Sequence, residues 1–480
     1  MYKYRSRYLA KSFLPLSGSL IFFLIALYIS QPTANNDIYM QLLAIDGILL
    51  NFDFSGVGGH PIGIALLGSF IKLLNIDPLI FFYWLQPFLI SLSFLILYKI
   101  LITVLETRPA FFISMSSLGS LIIIKSMNKV TAEIVSLMII LLFITYIWKI
   151  IIINRVNNTS SIVILILIGW LSILFRNASI FLILGVLLFL LIHNKFGKIK
   201  LLIVSCLILI PGFIKSTFHY DNPGHLEKMF SFGASVDLVK QLMKHCMNFT
   251  EVIFPYNLHL NGQPWLKLII GILVILFIIY QVRKSVKLKE NIKLLGDYFF
   301  TIGISYYLFL TLASIYYQYS WGDLYRVSGF GILFILCSFW IYIFAFFKNW
   351  ERYLLLFLII SSISKITYGL RYELNAQGSR FLFNDYRDTV TDIIEYIDPA
   401  TSDLFIYTGD KWQGENLYYM IKYYNTTNSY PFEIRKYSNE IEKANMFILC
   451  TSYDISKFES SKYNKSQITG VDQVYIVTIN

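Results

Sequence analysis

The chain has 480 residues, of which 56% are hydrophobic and 14% charged, with a mean hydropathy of +0.61. Soluble domains carry about 25% charged residues, so this composition excludes a water-soluble enzyme and a disordered chain. The net charge of +11 is unevenly spread: residues 370–480 hold 11 basic and 15 acidic side chains, residues 1–369 hold 29 and 14. A basic balance confined to the hydrophobic part is what positively charged cytoplasmic loops produce, and it argues against a nucleic-acid partner.

In chain order, Lys3, Arg5, Arg7 and Lys11 precede an apolar run from about Phe13 to Ser30. The run is long for a signal peptide and no small-residue cleavage site follows, so it reads as a retained first helix with a cytoplasmic N-terminus. Residues 31–60 then form an external loop. Further apolar segments lie near 61–75, 79–103, 109–127, 134–153, 161–175, 177–193, 200–216, 265–282, 295–316, 329–347 and 353–369. Basic clusters such as Lys149/Arg155, Lys195/Lys198/Lys200 and Lys348/Arg352 agree with one another as cytoplasmic only if one candidate between 61 and 130 is re-entrant, half-length or fused. The expectation is an all-α polytopic membrane bundle of about eleven spans. Its second long external connection covers residues 217–264, and such long loops are usually functional.

Beyond Gly369 the texture changes. An amphipathic stretch (Tyr386 to Ile397) and a helical one (Glu415 to Tyr424) alternate with β-like runs at Leu404 to Tyr407, Met446 to Cys450 and Val474 to Ile479. The division expected is a transmembrane domain, 1–369, and a small extracytoplasmic α/β domain, 370–480. Cys206, Cys246, Cys337 and Cys450 show no zinc spacing; Cys246 and Cys450 could bridge in an oxidising space, with free thiols the simpler reading.

Chemistry concentrates in the outer links. Asp37, in Asn36-Asp37-Ile38-Tyr39, opens a helix-like stretch, where it can accept a proton from an acceptor hydroxyl, hold a metal or merely cap the helix. The same loop closes on His60-Pro61, and a histidine there can bind an anionic headgroup. Glu133 precedes an apolar span with a basic far end, either as a second acid or as a favourable charge at a helix N-terminus. Arg176 interrupts an apolar stretch from Ser161 to His193 that is long enough for two short spans. Alone in hydrocarbon it would cost roughly 2.5–3.5 kcal/mol, so it marks an outer turn facing phosphates, or snorkels to the interface. Arg326, in Trp321-Gly322-Asp323-Leu324-Tyr325-Arg326, is a second outer arginine, unless Asp323 pairs with it. Arginine's planar fork suits phosphate. The chain has no Walker motif, HExxH or serine nucleophile elbow.

These parts, in this order, resemble the GT-C class of integral-membrane glycosyltransferases, especially the branch of protein O-mannosyltransferases and lipid A aminoarabinose transferases. The likeness runs from the first span through Asp37-Ile38-Tyr39 with Ala44, His60-Pro61, the Glu133 region, Phe175-Arg176-Asn177 and Tyr325-Arg326 to the small final domain. It departs from the family at Ile62, where a second proline is common, and in having Glu133 where Asp is usual.

The resemblance implies that Asp37 is the essential acid and Glu133 the second one, either of which could ligate a divalent metal (Mg or Mn). His60, Arg176 and Arg326 would bind the phosphate of a polyprenyl-phosphate sugar donor. The implied reaction is inverting transfer to a glycan, lipid or protein acceptor at the outer face of a plasma (inner) membrane. The alternatives are a polymerase or ligase of lipid-linked glycans, and a lipid-linked-sugar flippase. Paired broken helices and deep charges, expected of a transporter, are not evident in the sequence.

Overall fold

The fold is taken from a computed structural model that describes residues 2–30, 36–53, 61–127, 129–154, 158–193, 197–218, 238–253, 263–284, 288–316 and 325–379, and further on 403–407, 419, 421–423, 433–435, 446–449, 463–467 and 475–479. In chain order the helices begin with α1 (Tyr2–Ile29), α2 (Asn36–Leu43), α3 (Ile45–Asn51), α4 (Gly63–Leu73) and α5 (Pro78–Leu101). There follow α6 (Thr107–Leu118), α7 (Leu121–Met127), α8 (Ala132–Tyr146), α9 (Thr159–Phe175), α10 (Ser179–Ile192) and α11 (Lys198–Phe218). The last are α12 (Leu238–Asn248), α13 (Pro264–Lys284), α14 (Glu290–Tyr316), α15 (Tyr325–Phe346) and α16 (Glu351–Ser379). Contacts divide the chain into two units, residues 1–30 with 84–372, and residues 31–83 with 373–480.

Among the described residues six helical segments are long and apolar enough to cross a membrane: Pro78–Leu101, Ala132–Ile153, Pro264–Arg283, Glu290–Ala313, Gly329–Phe346 and Lys348–Leu374. The second of these counts α8 together with the π-helical turn Ile147–Ile153 that continues it. Leu356, Ile360 and Ile363 leave an apolar stripe exposed on α16, as Trp265, Leu273 and Leu276 do on α13. Such stripes suit lipid and not water, and the chain is a polytopic helical membrane protein.

The first unit packs around α14 and α15. The Tyr298 hydroxyl on α14 donates to the Ile144 carbonyl (3.1 Å), and its ring lies 5.8 Å from Trp148 and 4.8 Å from Phe189. Gly185 lets α10 approach α14 closely, since a Cβ there would stand 3.0 Å from Ile302 Cα. The apolar run near 109–127 is not one helix: it breaks at Gly119–Ser120 between α6 and α7.

In the second unit α2, α3 and α4 are short. Leu42 and Ile45 close over Gly68, while Ala44, Ile48 and Ala65 form a small core. An exposed ion pair, Lys72 Nζ to Asp46 Oδ1 at 2.6 Å, joins α3 to α4. The helix after Pro61 starts at Gly63. At roughly 1.5 Å per residue α4 reaches only about half of a ~30 Å hydrocarbon layer, so the run near 61–75 is a half-length segment.

The same unit holds a sheet of β1 (Asp403–Tyr407), β2 (Glu433–Arg435), β3 (Met446–Leu449), β4 (Tyr463–Gln467) and β5 (Tyr475–Ile479), in the order β2-β1-β3-β5-β4. β1 pairs in parallel with β2 and β3, and β5 antiparallel with β3 and β4. The three apolar runs anticipated from sequence coincide with the inner strands β1, β3 and β5. The edges β2 and β4, which that reading missed, are short or polar, as edges that avoid further pairing are. The stretch Tyr386 to Ile397, most of Glu415 to Tyr424 and Cys450 lie outside the described residues; Cys206, Cys246 and Cys337 are free thiols.

Gly271 on α13 is where backbone meets backbone, because a Cβ there would collide with the Cys246 carbonyl on α12. The carbonyl cannot rotate aside as a side chain would. Gly271→Ala is therefore expected to destabilise the protein by about 1–3 kcal/mol, read as a lowered thermal midpoint in detergent with α12 preferentially loosened.

Candidate functional site

Arg176 ends α9 with an extended backbone (φ −156°, ψ 117°), its amide still bonded to the Ser172 carbonyl at 3.0 Å. Its own carbonyl accepts from Ser179 N (3.0 Å), the first residue of α10. The apolar stretch is thus broken at the arginine, and the side chain turns inward: Arg176 is 8% exposed. Snorkelling does not describe it. Its Nη1 lies 2.6 Å from Glu133 Oε1, and its guanidinium sits 4.9 Å from the centroid of the Phe330 ring.

Glu133 stands in the first turn of α8 and is 3% exposed. The link before it is clamped by Gln86 on α5, whose Nε2 donates to the Lys129 carbonyl (3.0 Å) and whose Oε1 accepts from Thr131 N (3.1 Å). Thr131 Oγ1 adds a bond to the Ser126 carbonyl (3.0 Å). On the next turn, Ser136 Oγ and Ser179 Oγ are 2.9 Å apart, joining α8 to the start of α10. A narrow cleft lined by Ile123, Ser126, Glu133, Leu137 and Phe330 opens beside the acid.

Two of the five residues singled out from sequence are therefore brought together, Glu133 and Arg176. Asp37 and Arg326 are described by their main chain alone, in α2 and in the first turn of α15. His60 and Asp323 lie outside the described residues, as does most of the long connection 217–264.

A divalent metal at Glu133 would have to compete with Arg176 for the carboxylate. Glu133 Oε1 already faces a guanidinium at 2.6 Å, which would repel a divalent cation at the same oxygen. Among the described residues no three or more His, Cys, Asp or Glu side chains gather. What the arrangement does is hold a buried guanidinium beside its counter-ion, in an apolar setting where neither charge is tolerable alone.

A second buried polar cluster escaped the sequence reading. After α12 a single 3-10 turn, Phe249–Val252, carries Glu251, fully buried, whose Oε1 accepts from Leu121 N at the start of α7 (2.6 Å). Lys365 on α16, also fully buried, donates to Ser116 Oγ (3.0 Å) and reaches the Val252 carbonyl (3.4 Å), while Ser361 Oγ donates to the Ile253 carbonyl (2.9 Å). Residues 251–253 within the long connection are thus pinned between α7 and α16. The signal was present in the sequence as a lone lysine within an apolar span, which is a functional or structural marker by default.

Burial pushes the Glu251 carboxyl up to about 7, with Lys365, the Leu121 amide and Lys125 pulling the other way. Nearby His245 is lowered to about 4, by burial first and then by Lys244.

No known family model matches the sequence, and no curated protein matches it significantly. Solved structures do match. The crystal structure of ArnT from Cupriavidus metallidurans bound to undecaprenyl phosphate superposes with a TM-score of 0.55 at 9% identity, over 97% of this chain and 97% of ArnT. Its apo form gives 0.54 at 8% identity with the same coverage. AglB of Archaeoglobus fulgidus, in complex with an inhibitory peptide and a dolichol-phosphate, aligns more loosely, with a TM-score of 0.42 at 12% identity over 86% of this chain and 64% of AglB. The chain has the fold of the ArnT crystal structures.

Removing one partner of the pair strands the other as a buried charge, so Arg176→Ala is expected to cost about 3–5 kcal/mol. Glu133→Gln combined with Arg176→Gln is expected to recover part of it. Denaturant or thermal unfolding in detergent checks both, and equal losses in single and double variants would refute the coupling.

Glu251 yields a pH prediction. Between about pH 4.5 and 7 it is protonated in the fold and ionised in the unfolded chain, so folding takes up a proton and stability falls as pH rises through that window. His245 works oppositely, costing stability as pH falls from 6.5 towards 4. Comparing variants separates the two: Glu251→Gln, which keeps an acceptor for Leu121 N, is expected to flatten the fall in stability between about pH 4.5 and 7 and to leave the His245 limb in place, read by unfolding midpoints.

Proposed function

We propose that the chain is a membrane glycosyltransferase that moves a hexosyl or pentosyl group from a polyprenyl-phosphate donor to an acceptor hydroxyl at the extracytoplasmic face. The observation that carries this reading is the buried Arg176–Glu133 pair in the link between two apolar helices, in a chain that follows the ArnT fold from end to end. Supporting it, ArnT was solved with undecaprenyl phosphate bound.

Asp37 is the general base. It takes the proton of the acceptor hydroxyl as that oxygen bonds to the anomeric carbon and the bond from carbon to phosphate oxygen breaks, with inversion. The lipid phosphate leaves with the electron pair. His60, Arg176 and Arg326 stabilise its growing charge, for which a guanidinium fork is suited. Glu133 keeps Arg176 oriented and its burial tolerable until phosphate, a better partner for the fork, competes for it. The acceptor is a glycan, lipid or protein.

The same reading takes residues 1–369 as the transferase domain, with about eleven spans and external loops at 31–60 and 217–264. Residues 370–480 are an extracytoplasmic α/β domain, and the protein lies in a plasma membrane with its N-terminus in the cytoplasm. In support, the half-length α4 lies in the stretch 61–130, where the basic clusters require one candidate not to cross.

The test compares purified wild type with Asp37→Asn on a panel of radiolabelled polyprenyl-phosphate sugars and membrane extract, following label transfer and release of lipid phosphate. Transfer is expected to fall by about 10²–10⁴-fold, the usual worth of a general base, with donor binding retained. Undiminished transfer by the variant would overturn Asp37 as base, and donor binding without turnover in wild type would favour a flippase.

A further inference from the structure

α2 is eight residues long. Helices of that length are marginal by themselves, so its position has to come from what it packs against. Its buried side carries Ile38, Tyr39, Gln41 and Leu42. Leu42, with Ile45 beyond it, closes over Gly68, but Tyr39 meets a residue from the far end of the chain. The rings of Tyr39 and Tyr423 lie 5.7 Å apart at 48°. Tyr423 belongs to the helical residues 421–423, next to the fully buried Ile421, and is itself 6% exposed.

The other end of the same side chain is equally engaged. The Tyr423 hydroxyl donates to Asp77 Oδ1 at 3.3 Å, 346 positions earlier in the chain. That oxygen also accepts from Leu79 N (2.8 Å) and Ile80 N (3.2 Å), so it caps α5 just ahead of Pro78. One phenol therefore touches the helix that carries Asp37 with its ring, and the fixed start of a long apolar helix with its hydroxyl. Tyrosine combines a flat apolar face with a donor at its tip, which lets one side chain make both contacts.

We propose that Tyr423 is a positioning residue through which the C-terminal segment holds α2, and hence Asp37, in register with the start of α5. This rests on the reading of Asp37 as the base. The C-terminal part then acts on the reaction without supplying a catalytic group, because loosening Tyr423 frees α2 to tilt on its short connection. All the residues concerned, 37–42, 77–80 and 421–423, belong to the same unit of the fold.

The test uses the full chain in detergent or nanodiscs. Hydrogen exchange of the α2 amides is compared among wild type, Tyr423→Ala and Tyr423→Phe, with α8 and α10 as internal controls. The proposal expects at least a tenfold rise at α2 in Tyr423→Ala, less than threefold in Tyr423→Phe, and no change in the controls. Unchanged exchange at α2, or a uniform rise in all helices, would overturn it. If Tyr423→Ala does not fold, Tyr423→Leu, which keeps bulk without ring face or hydroxyl, takes its place.

Where wild type transfers sugar, kcat is also measured against pH. Tyr423→Ala is expected to lower kcat about tenfold, with the donor KM within twofold, and to displace the acid limb of the profile, which Tyr423→Phe restores. A drop in amplitude with an unmoved limb would mean a merely structural role and overturn positioning. If wild type transfers from no polyprenyl-phosphate sugar, the proposed function fails, while the exchange comparison still decides whether Tyr423 holds α2.

Discussion

A guanidinium in an apolar bundle has to bring its counter-ion with it. Arg176 does so through Glu133, and that requirement sets much of the first unit. It obliges the chain to break between α9 and α10, because an uninterrupted helix would carry the charge deep into hydrocarbon. It brings the first turn of α8 against the break, where a carboxylate is also favoured by the helix dipole. Once those ends are fixed, the Ser136–Ser179 contact and the Gln86 clamp on residues 129–131 follow as local completions. Replacing a buried pair by apolar side chains is often neutral or stabilising. Stability is therefore a poor reason for retaining this one.

The same economy of charge governs the second polar cluster. Glu251 and Lys365 are both fully buried, yet each finds partners at a segment end: the first amide of α7 for the acid, a serine and a carbonyl for the amine. Between these points the helices meet through rings and small residues, as at Tyr298, Gly185 and Gly271. Helix association in lipid depends on close packing and on such polar contacts, since apolar area alone distinguishes poorly between a neighbouring helix and a lipid tail.

Much of this was legible in the sequence, for identifiable reasons. Apolar runs near 79–103, 134–153 and 265–282 became long helices because in hydrocarbon a helix is the only way to satisfy the backbone within one segment. The break at Arg176 was legible because a charge there has few places to go. Its partner was not: Glu133 and Arg176 were placed at one depth and given separate tasks, since nothing local couples residues 43 positions apart. The split of α6 from α7 was hidden because both halves are equally apolar. β2 and β4 went unseen because edge strands need not look hydrophobic. The contact of Tyr423 with Tyr39 and Asp77, 346 positions from Asp77, could only be found in three dimensions.

On the proposed reading these features answer one physical problem. A lipid-linked phosphate brings negative charge to a protein that is mostly hydrocarbon-facing, and the cations that receive it must exist beforehand without unfolding the site. A solvated loop could hold them cheaply, but water would screen the attraction and leave the side chains unordered. Burying Arg176 beside Glu133 keeps it charged, oriented and poorly screened, with the carboxylate standing where a phosphate oxygen would be equally welcome. On that reading Glu133 is also the partner that the arginine keeps between turnovers.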